Sequence, residues 1–372
     1  MDVISKLQVL SDASQYDLAC ACGTGGSDRR HRGSDGAWLY PVSLPRGGFS
    51  VMLKTLMSNV CVNDCKYCPY RNTVDVPRCT IGSEEMARLF MEYVHQKKVF
   101  GLFLSSGVVK SADATMELLN DTARILRKKH AYRGHIHLKV IPGASEAAIE
   151  DALSLANAVS VNIETPGKKH CDNLSSGKDY FRDIIRPLQF INEMTSRKVE
   201  FRKIRKTTQF IVGASDETDA EVVRYTAGLY SRLKLNRVYF SAYQRGLGDK
   251  SIPGEQRISS RPEESFLREH RLYQTDFLLR SYGFSSEDII FDQQGNLALD
   301  KDPKLVWAMG HPEFFPVNVN RAGIMELLRV PGIGPLTAQR IVGLRKGARI
   351  ANTESLPVKG KRLEMARQFI TV

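Results

Sequence analysis

The sequence predicts an α/β protein, a partial (β/α)6 barrel followed by a small all-α domain. From Val51 onward, short apolar runs alternate with amphipathic helical segments, a pattern typical of repeated βα units around a parallel sheet. Six such units are too few for a closed eight-stranded barrel, so the barrel is expected to be open. Near the end of the chain, the strand pattern is replaced by short helices joined by glycine-containing turns.

The six predicted strands cover residues 51–56, 99–104, 135–141, 158–163, 208–212 and 237–242. The predicted helices between them cover residues 83–96, 114–129, 145–156, 180–195 and about 218–234. In a parallel barrel the carboxyl ends of the strands meet at one face. Ligands are therefore expected at that face.

The complete domain prediction has four segments. Residues 1–50 form an N-terminal extension, which consists of a helical pattern over residues 2–19 followed by a loop rich in Gly, Ser and Arg. Residues 51–245 form the barrel, residues 246–312 a helical brace that includes a long helix over residues 266–282, and residues 313–372 the all-α domain.

Length and composition indicate a folded chain of about two domains, since 42% of its 372 residues are hydrophobic and 25% are charged. No apolar run approaches about 18 residues, and no basic segment followed by an apolar one opens the chain. We therefore expect a cytoplasmic protein without a membrane span. Seven cysteines, an odd number, fit a reducing compartment. The net charge of +12 favours an anionic partner, first of all nucleic acid, although many solvated basic surfaces carry similar charge.

Cys61, Cys65 and Cys68 form a CxxxCxxC motif directly after the first predicted strand. Three thiolates from one short loop are suited to hold three irons of a cubane 4Fe-4S cluster and leave the fourth iron open to a non-protein ligand. The alternatives are a zinc knuckle or three unrelated thiols. A structural zinc site requires a fourth ligand, usually in a second nearby pair, and none is spaced correctly.

This motif, with Tyr67 before its third cysteine, resembles the cluster motif of the radical S-adenosylmethionine (SAM) enzymes. In that family the open iron binds the amino and carboxylate groups of SAM, and one electron releases a 5'-deoxyadenosyl radical. The resemblance therefore implies a 4Fe-4S cluster and SAM as cofactors. It also implies an electron donor such as flavodoxin or ferredoxin, which are acidic and would be attracted to a basic surface.

Several strand ends extend the resemblance to SAM-binding motifs. The segment Ser105, Ser106 and Gly107 stands where the family has a Gly-Gly-Glu-like segment for the SAM amino group, although the glutamate is missing here. Asn162 and Glu164 resemble the fourth-strand residues of biotin synthase that bind the ribose hydroxyls. The remaining cofactor-binding candidates are Val212 and Gly213 in a fifth-strand motif that packs against adenine, and Lys178 for the SAM carboxylate.

Candidate catalytic residues are less clearly indicated. Cys20 and Cys22, together with Cys79, are candidates for hydrogen-atom donors or for ligands of a second cluster, and the alternative is thiols without a role. His137 lies on one face of a strand with His135 and Lys139, where the three side chains would line a substrate cavity. A buried, hydrogen-bonded histidine is the alternative for each.

Residues 317–349 carry a helix-hairpin-helix pattern with Pro-Gly-Ile-Gly in the turn. Gly332 and Gly334 permit a tight turn that presents backbone N–H groups to a phosphate at a helix N-terminus, while Ile333 anchors the turn inward. Basic residues around it complete the candidate nucleic-acid-binding set, namely Arg340, Arg345 and Lys346. Contacts of this kind bind the phosphate backbone without reading the base sequence. A module that makes only protein contacts is the alternative.

The whole layout resembles bacterial radical SAM proteins associated with DNA modification or repair, which have a C-terminal helix-hairpin-helix domain. The resemblance implies an enzyme that presents a 5'-deoxyadenosyl radical to a base, sugar or lesion of double-stranded DNA. Two alternatives remain open, a radical SAM enzyme acting on RNA and a non-catalytic iron-sulfur sensor that binds DNA.

Overall fold

Seven strands form one sheet, in the order in which they occur in the chain. The computed structural model describes residues 1–14, 39–43, 49–257 and 263–372. The strands are β1 (Leu39–Ser43), β2 (Phe49–Leu56), β3 (Gly101–Ser105), β4 (His135–Lys139), β5 (Ala158–Ser160), β6 (Arg205–Val212) and β7 (Arg237–Ala242). β2 to β7 pair in parallel, as the predicted (β/α)6 barrel requires. β1 pairs antiparallel with β2 and was not predicted.

Alternating burial along the strands separates two faces of this sheet. On β4, Ile136 and Leu138 are fully buried, whereas His135, His137 and Lys139 are only partly buried. β7 repeats the alternation, which is the pattern expected when one face packs against helices and the other faces the barrel interior. The face that carries β4's histidines and lysine is therefore the interior one.

The helices of this part of the chain are α1 (Val3–Ser14), α2 (Ser83–His95), α3 (Ala112–Arg124), α4 (Glu146–Leu155), α5 (Lys168–Leu174), α6 (Arg186–Arg197), α7 (Asp219–Leu233) and α8 (Pro253–Gln256). Ser111 and Ser145 cap α3 and α4 by accepting hydrogen bonds from backbone N–H groups in the first turn. Two predicted helices contain π-helical segments, Ile125–Lys129 after α3 and Tyr180–Ile185 before α6. α5 was not predicted.

The chain divides into two compact units, residues 1–217 with 228–266, and residues 218–227 with 267–372. The second unit contains most of α9 (Glu263–Ser281), then α10 (Pro303–Gly310), β8 (Val317–Asn318), α11 (Ile324–Arg329), α12 (Pro335–Gly347), α13 (Lys361–Arg367) and β9 (Ile370–Thr371). β8 and β9 pair in parallel. The four predicted domain segments stay a prediction.

One apolar cluster forms the core of residues 317–370 in the second unit. It includes Leu327 from α11, Ile333 from the following turn and Ile341 from α12, all at most 1% exposed. In the described ranges, no helix has the length and apolar content that crossing a bilayer requires.

Candidate active site

The three motif cysteines lie in a loop that follows β2 at the carboxyl edge of the sheet. Arg78 holds this loop in place, because its guanidinium donates hydrogen bonds to the carbonyl oxygens of Asn59, Tyr70, Arg71 and Val74. The return of the loop is fixed by an antiparallel bridge between Ser58 and Thr80. These hydrogen bonds to the backbone hold the loop in place without involving the thiols.

Two of the three thiols accept a hydrogen bond from the backbone, and a lysine lies beside the third. The N–H of Val108 points at Cys61 Sγ and that of Tyr70 at Cys68 Sγ, both at 3.4 Å. The positive charge of Lys178 lies close to Cys65. Donors of this kind stabilise negative charge on sulfur, as a metal-bound thiolate requires.

In the protein without a metal, burial raises the pKa of Cys65, and it raises the pKa of Cys68 to about 12. Buried thiols are inert as free groups at neutral pH, because their charged form is poorly solvated. A metal that replaces the proton neutralises the thiolate and removes this penalty. The environment of the thiols thus favours a bound cation over free thiolates.

A cavity of about 200 Å³ opens at the carboxyl ends of the strands, and all three cysteines line it. The predicted cofactor-binding residues that also line it are Tyr67, Ser105, Ser106, Gly107, Asn162, Glu164 and Lys178. Val212 and Gly213 are not among the lining residues. Val212 is buried, and the N–H of Gly213 donates to the Glu217 carboxylate at 2.6 Å.

Glu164 has an unusual backbone conformation. Its φ of +63° lies in the left-handed region, where a non-glycine residue is strained. Two hydrogen bonds to β6 hold it there, from its N–H to the Gln209 carbonyl and from the Ile211 N–H to its own carbonyl. The strained backbone directs the side chain into the cavity wall, where only 7% of the residue is exposed.

The Tyr67 hydroxyl lies beside the Glu164 carboxylate, and burial together with this carboxylate raises the pKa of Tyr67 well above its ordinary value. The Glu164 Oε2 atom is buried and has no hydrogen-bond partner among the described residues, and the same holds for Ser106 Oγ. A buried polar atom without a partner is costly. Both atoms line the cavity wall, so a polar ligand there would satisfy them.

Gly107 brings the backbone close to the cysteine loop. Its N–H donates to the Ser58 carbonyl at 2.7 Å, and a Cβ atom at this position would lie 2.5 Å from the Val60 carbonyl oxygen. Only glycine fits here, which explains this residue without reference to a ligand.

Lys178 is positioned between two negative groups. Burial alone would lower its pKa, but Cys65 and Glu164 outweigh burial and raise it above the ordinary lysine value. The ammonium is therefore charged at neutral pH and is available to a carboxylate that enters the cavity.

The candidate catalytic residues are placed differently. His137 does not line the cavity. It lies two residues before the end of β4, deeper in the barrel, where its Nε2 is 3.0 Å from Ser160 Oγ and its ring packs on Phe103. Burial, with nearby positive charges, lowers its pKa well below the ordinary value, so the ring is neutral. Cys20 and Cys22 lie outside the described residues.

Several lining residues had no motif to identify them. From β4, β6 and β7 come the polar side chains of Lys139, Gln209 and Ser241, followed by Gln244 in the next loop. Of these, only Lys139 had been considered for a cavity, from strand alternation. These side chains add polar groups to the cavity wall beyond those of the predicted cofactor-binding residues.

The donor set fits an iron-sulfur cluster. Among the described residues, no three His, Cys, Asp or Glu side chains are grouped closely enough to bind a single metal ion. In a cubane each thiolate binds a different iron, so that finding concerns single ions and not a cluster held by Cys61, Cys65 and Cys68.

The second unit carries the residues proposed from the Pro-Gly-Ile-Gly turn. Gly332 has a φ of +84°, and Gly334 is the N-cap of α12 with an extended backbone. A Cβ at Gly332 would lie 2.3 Å from the Arg362 carbonyl oxygen, whereas at Gly334 its nearest neighbour would be the Tyr282 hydroxyl at 3.2 Å. Ile333, 1% exposed, packs in the core below the turn.

The basic residues of α12 are not equivalent. Arg340 and Lys346 are exposed. Arg345 is partly buried, and its Nη1 donates to the carbonyl oxygens of Val319 and Ala322 at 2.9 and 2.6 Å. Arg345 thus stabilises the fold of this unit, which reduces its capacity to bind a phosphate.

Comparison with known proteins identifies the domain that carries the cavity. Residues 55–226 match the family model of the radical SAM superfamily. The chain therefore contains a radical SAM domain with the α/β half-barrel described above. This superfamily uses a 4Fe-4S cluster and S-adenosylmethionine as cofactors, and the cavity residues fit both. No curated protein matches the sequence significantly.

Solved structures with a similar fold include three proteins of low sequence identity. Methylornithine synthase (PylB) is 14% identical, with a TM-score of 0.47 over 83% of this chain and 74% of its own. HydG, a maturase of the FeFe-hydrogenase, is 12% identical, with a TM-score of 0.45 over 86% and 80%. The cobalamin-dependent S-adenosylmethionine radical enzyme OxsB is 10% identical, with a TM-score of 0.40 over 86% and 58%.

Proposed function

We propose, from the radical SAM domain in residues 55–226, that this protein is an enzyme that generates a 5'-deoxyadenosyl radical and uses it on DNA. The observation that carries the first part is the meeting of three thiols with Asn162, Glu164 and Lys178 around one cavity. When bound and reduced, the cluster supplies the electron that cleaves SAM. A structural or sensing cluster would not require a Glu164 oxygen without a hydrogen-bond partner in the wall of the cavity.

The protein's own residues bind and orient SAM in this proposal. The Asn162 amide would donate hydrogen bonds to the ribose hydroxyls, and the Glu164 carboxylate, beside the Tyr67 hydroxyl, would accept hydrogen bonds from them. Lys178 would pair with the SAM carboxylate, and Ser106 Oγ would be available to the SAM amino group. Together these residues would hold SAM beside the cysteine loop.

The proposal that DNA is the substrate rests on the turn before α12. A glycine turn at the N-terminus of a 13-residue helix provides N–H groups for a backbone phosphate, and exposed Arg340 and Lys346, farther along the same helix, add positive charge. We propose that residues 313–372 form a helix-hairpin-helix domain that holds the duplex. The electron donor in the cytoplasm would be a flavodoxin or ferredoxin.

The first test is cluster assembly and SAM cleavage in the full chain. Anaerobic reconstitution is expected to give about four irons per chain, and the reduced protein is expected to release 5'-deoxyadenosine and methionine. Cys65→Ala should lose both. Cys171→Ala is the matched control, because Cys171 is also a buried free thiol but does not line the cavity. A Cys65→Ala variant with full iron content would refute the assignment.

The second test concerns the substrate. Binding of the full chain to duplex DNA and to duplex RNA is measured as a function of salt, together with Gly334→Val and Lys346→Ala. Gly334→Val is expected to remove most binding, because its side chain blocks the approach of a phosphate, and Lys346→Ala to reduce the salt dependence by about one ion. Tighter binding to RNA, or no salt-dependent binding, would contradict the DNA assignment. Mass spectrometry of DNA nucleosides from cells with and without the gene would identify the product.

A further inference from the structure

Asp64 lies in the cysteine loop immediately before Cys65, and a segment 111 positions later surrounds its carboxylate. Oδ1 accepts a hydrogen bond from the Ser175 hydroxyl at 2.5 Å and from the Gly177 N–H at 3.3 Å. Oδ2 accepts from the N–H of Ser176 at 2.8 Å and from its hydroxyl at 2.5 Å. One carboxylate therefore fixes three consecutive residues.

The same two segments are joined on the other side of Cys65. The N–H of Lys66 donates to the Leu174 carbonyl at 2.7 Å. Residues 174–177 are thus fastened to the cysteine loop by side-chain bonds at Asp64 and by a backbone bond at Lys66. The segment is held at both ends and follows any displacement of the loop.

Lys178 is the next residue in this segment. It lines the same cavity as Cys65 and Glu164, and its ammonium lies close enough to both to feel their charge. A lysine side chain loses about 2 kcal/mol of conformational entropy when it is immobilised, so its placement depends on a fixed backbone origin. Asp64, which lies in the loop that carries the cluster thiols, fixes the backbone from which the Lys178 side chain extends.

We propose that Asp64 is a positioning residue that holds Lys178 at the cavity wall, so that the lysine meets the carboxylate of SAM. This inference rests on the proposed function, because it assigns Asp64 a part in binding SAM. It predicts that Asp64 acts through Lys178 and not through the iron content of the protein.

The test is a double-mutant cycle in the full, anaerobically reconstituted chain, with the Kd for SAM as the readout. Lys178→Ala is expected to weaken SAM binding about tenfold or more, and Asp64→Ala about tenfold, with iron content unchanged. Asp64→Asn, which keeps one acceptor, should weaken it less. In the double variant, the loss is expected to match that of Lys178→Ala alone within about twofold. Additive losses would overturn the proposal.

Asp172→Asn is the matched control. Asp172 is in α5, shortly before the anchored segment, and its carboxylate makes an exposed ion pair with Lys168. The control variant is expected to bind SAM as the wild type does. An equal loss in the control and in Asp64→Ala would show a general effect of charge and would also overturn the proposal.

Hydrogen exchange of the metal-free protein gives a second readout that needs neither iron nor SAM. The amides of Ser176 and Gly177 donate to Asp64 and are expected to exchange at least about tenfold faster in Asp64→Ala, but not in Lys178→Ala. Unchanged exchange in Asp64→Ala would refute the anchor. A wild type that binds no SAM would refute the proposed function together with the SAM role of Lys178. A wild type that binds SAM with unaffected Asp64 variants would refute the positioning role alone.

Discussion

Replacing Glu164 by alanine is the most direct test of the SAM site. The left-handed backbone at this position is held by hydrogen bonds of the main chain, which do not depend on the side chain. The substitution therefore removes the carboxylate without removing what shapes the strand end. Glu164 Oε2 has no hydrogen-bond partner to lose among the described residues.

The expected loss follows from the chemistry of a charged acceptor. A hydrogen bond to an ionised group contributes about 1.5–3 kcal/mol, and each 1.4 kcal/mol changes Kd tenfold. Glu164→Ala is therefore expected to weaken SAM binding about 10- to 150-fold. Glu164→Gln retains one acceptor oxygen and should show a smaller loss. Tyr67→Phe measures separately what the neighbouring Tyr67 hydroxyl contributes.

The assay is equilibrium dialysis of labelled SAM against the anaerobically reconstituted full chain, with iron content measured on the same samples. Glu193→Ala is the control, because Glu193 is on α6 in an exposed ion pair with Arg197. Iron content is expected to stay at about four per chain in every variant. If Glu164→Ala contains the cluster and binds SAM as tightly as the wild type, the ribose assignment is wrong.

Two further predictions concern the second unit. Gly332→Ala would place an alanine in the left-handed region and bring its Cβ against the Arg362 carbonyl, so it is expected to lower the free energy of unfolding by about 2–4 kcal/mol. Gly343→Ala on α12, with open space around its Cβ, should raise the free energy of unfolding by about 0.5–1 kcal/mol. Denaturant unfolding measures both variants, and equal effects would contradict the turn geometry. Burial lowers the pKa of Lys304, whose ammonium donates to the Ile333 carbonyl at 2.5 Å, to about 7 from an ordinary 10.5. Between these values only the unfolded chain holds the proton, so the wild type becomes more stable as the pH rises from about 7 to 10.5. The stability that Lys304→Met gains over the wild type is therefore expected to be greatest at and below about pH 7 and to shrink toward pH 10.5. A gain that grows with pH would contradict this.

The sequence predicts well those features that are set by local periodicity. β7 was predicted with the bounds that the structure has, since Arg237–Ala242 alternates cleanly between two faces. β1 was missed because it is short, contains Pro41 and follows a glycine-rich loop, features that an edge strand tolerates. α5 was missed because its seven mostly polar residues show no helical period.

The candidate site was predictable where a motif names the residue. The cysteine loop, Asn162 and Glu164 were found from their order in the chain, and all line one cavity. Neither Gln209 nor Asp64 was identified as a site residue, because Gln209 stands in no motif and Asp64 occupies one of the variable positions of the CxxxCxxC motif. What Asp64 does depends on serines 111 and 112 positions away, a relation that only the folded chain creates.

The pairing of β8 with β9 has a consequence for the order in which the chain folds. The N–H groups of Val317 and Val319 donate to the carbonyl oxygens of Phe369 and Thr371, so the start of this segment is completed by residues made more than fifty positions later. All seven strands of the large sheet, in contrast, have been synthesised once Ala242 is made. During synthesis, the sheet is therefore able to form before β9 exists. Residues 317–371 cannot complete their fold until Thr371 has emerged from the ribosome, and until then they are accessible to chaperones and proteases.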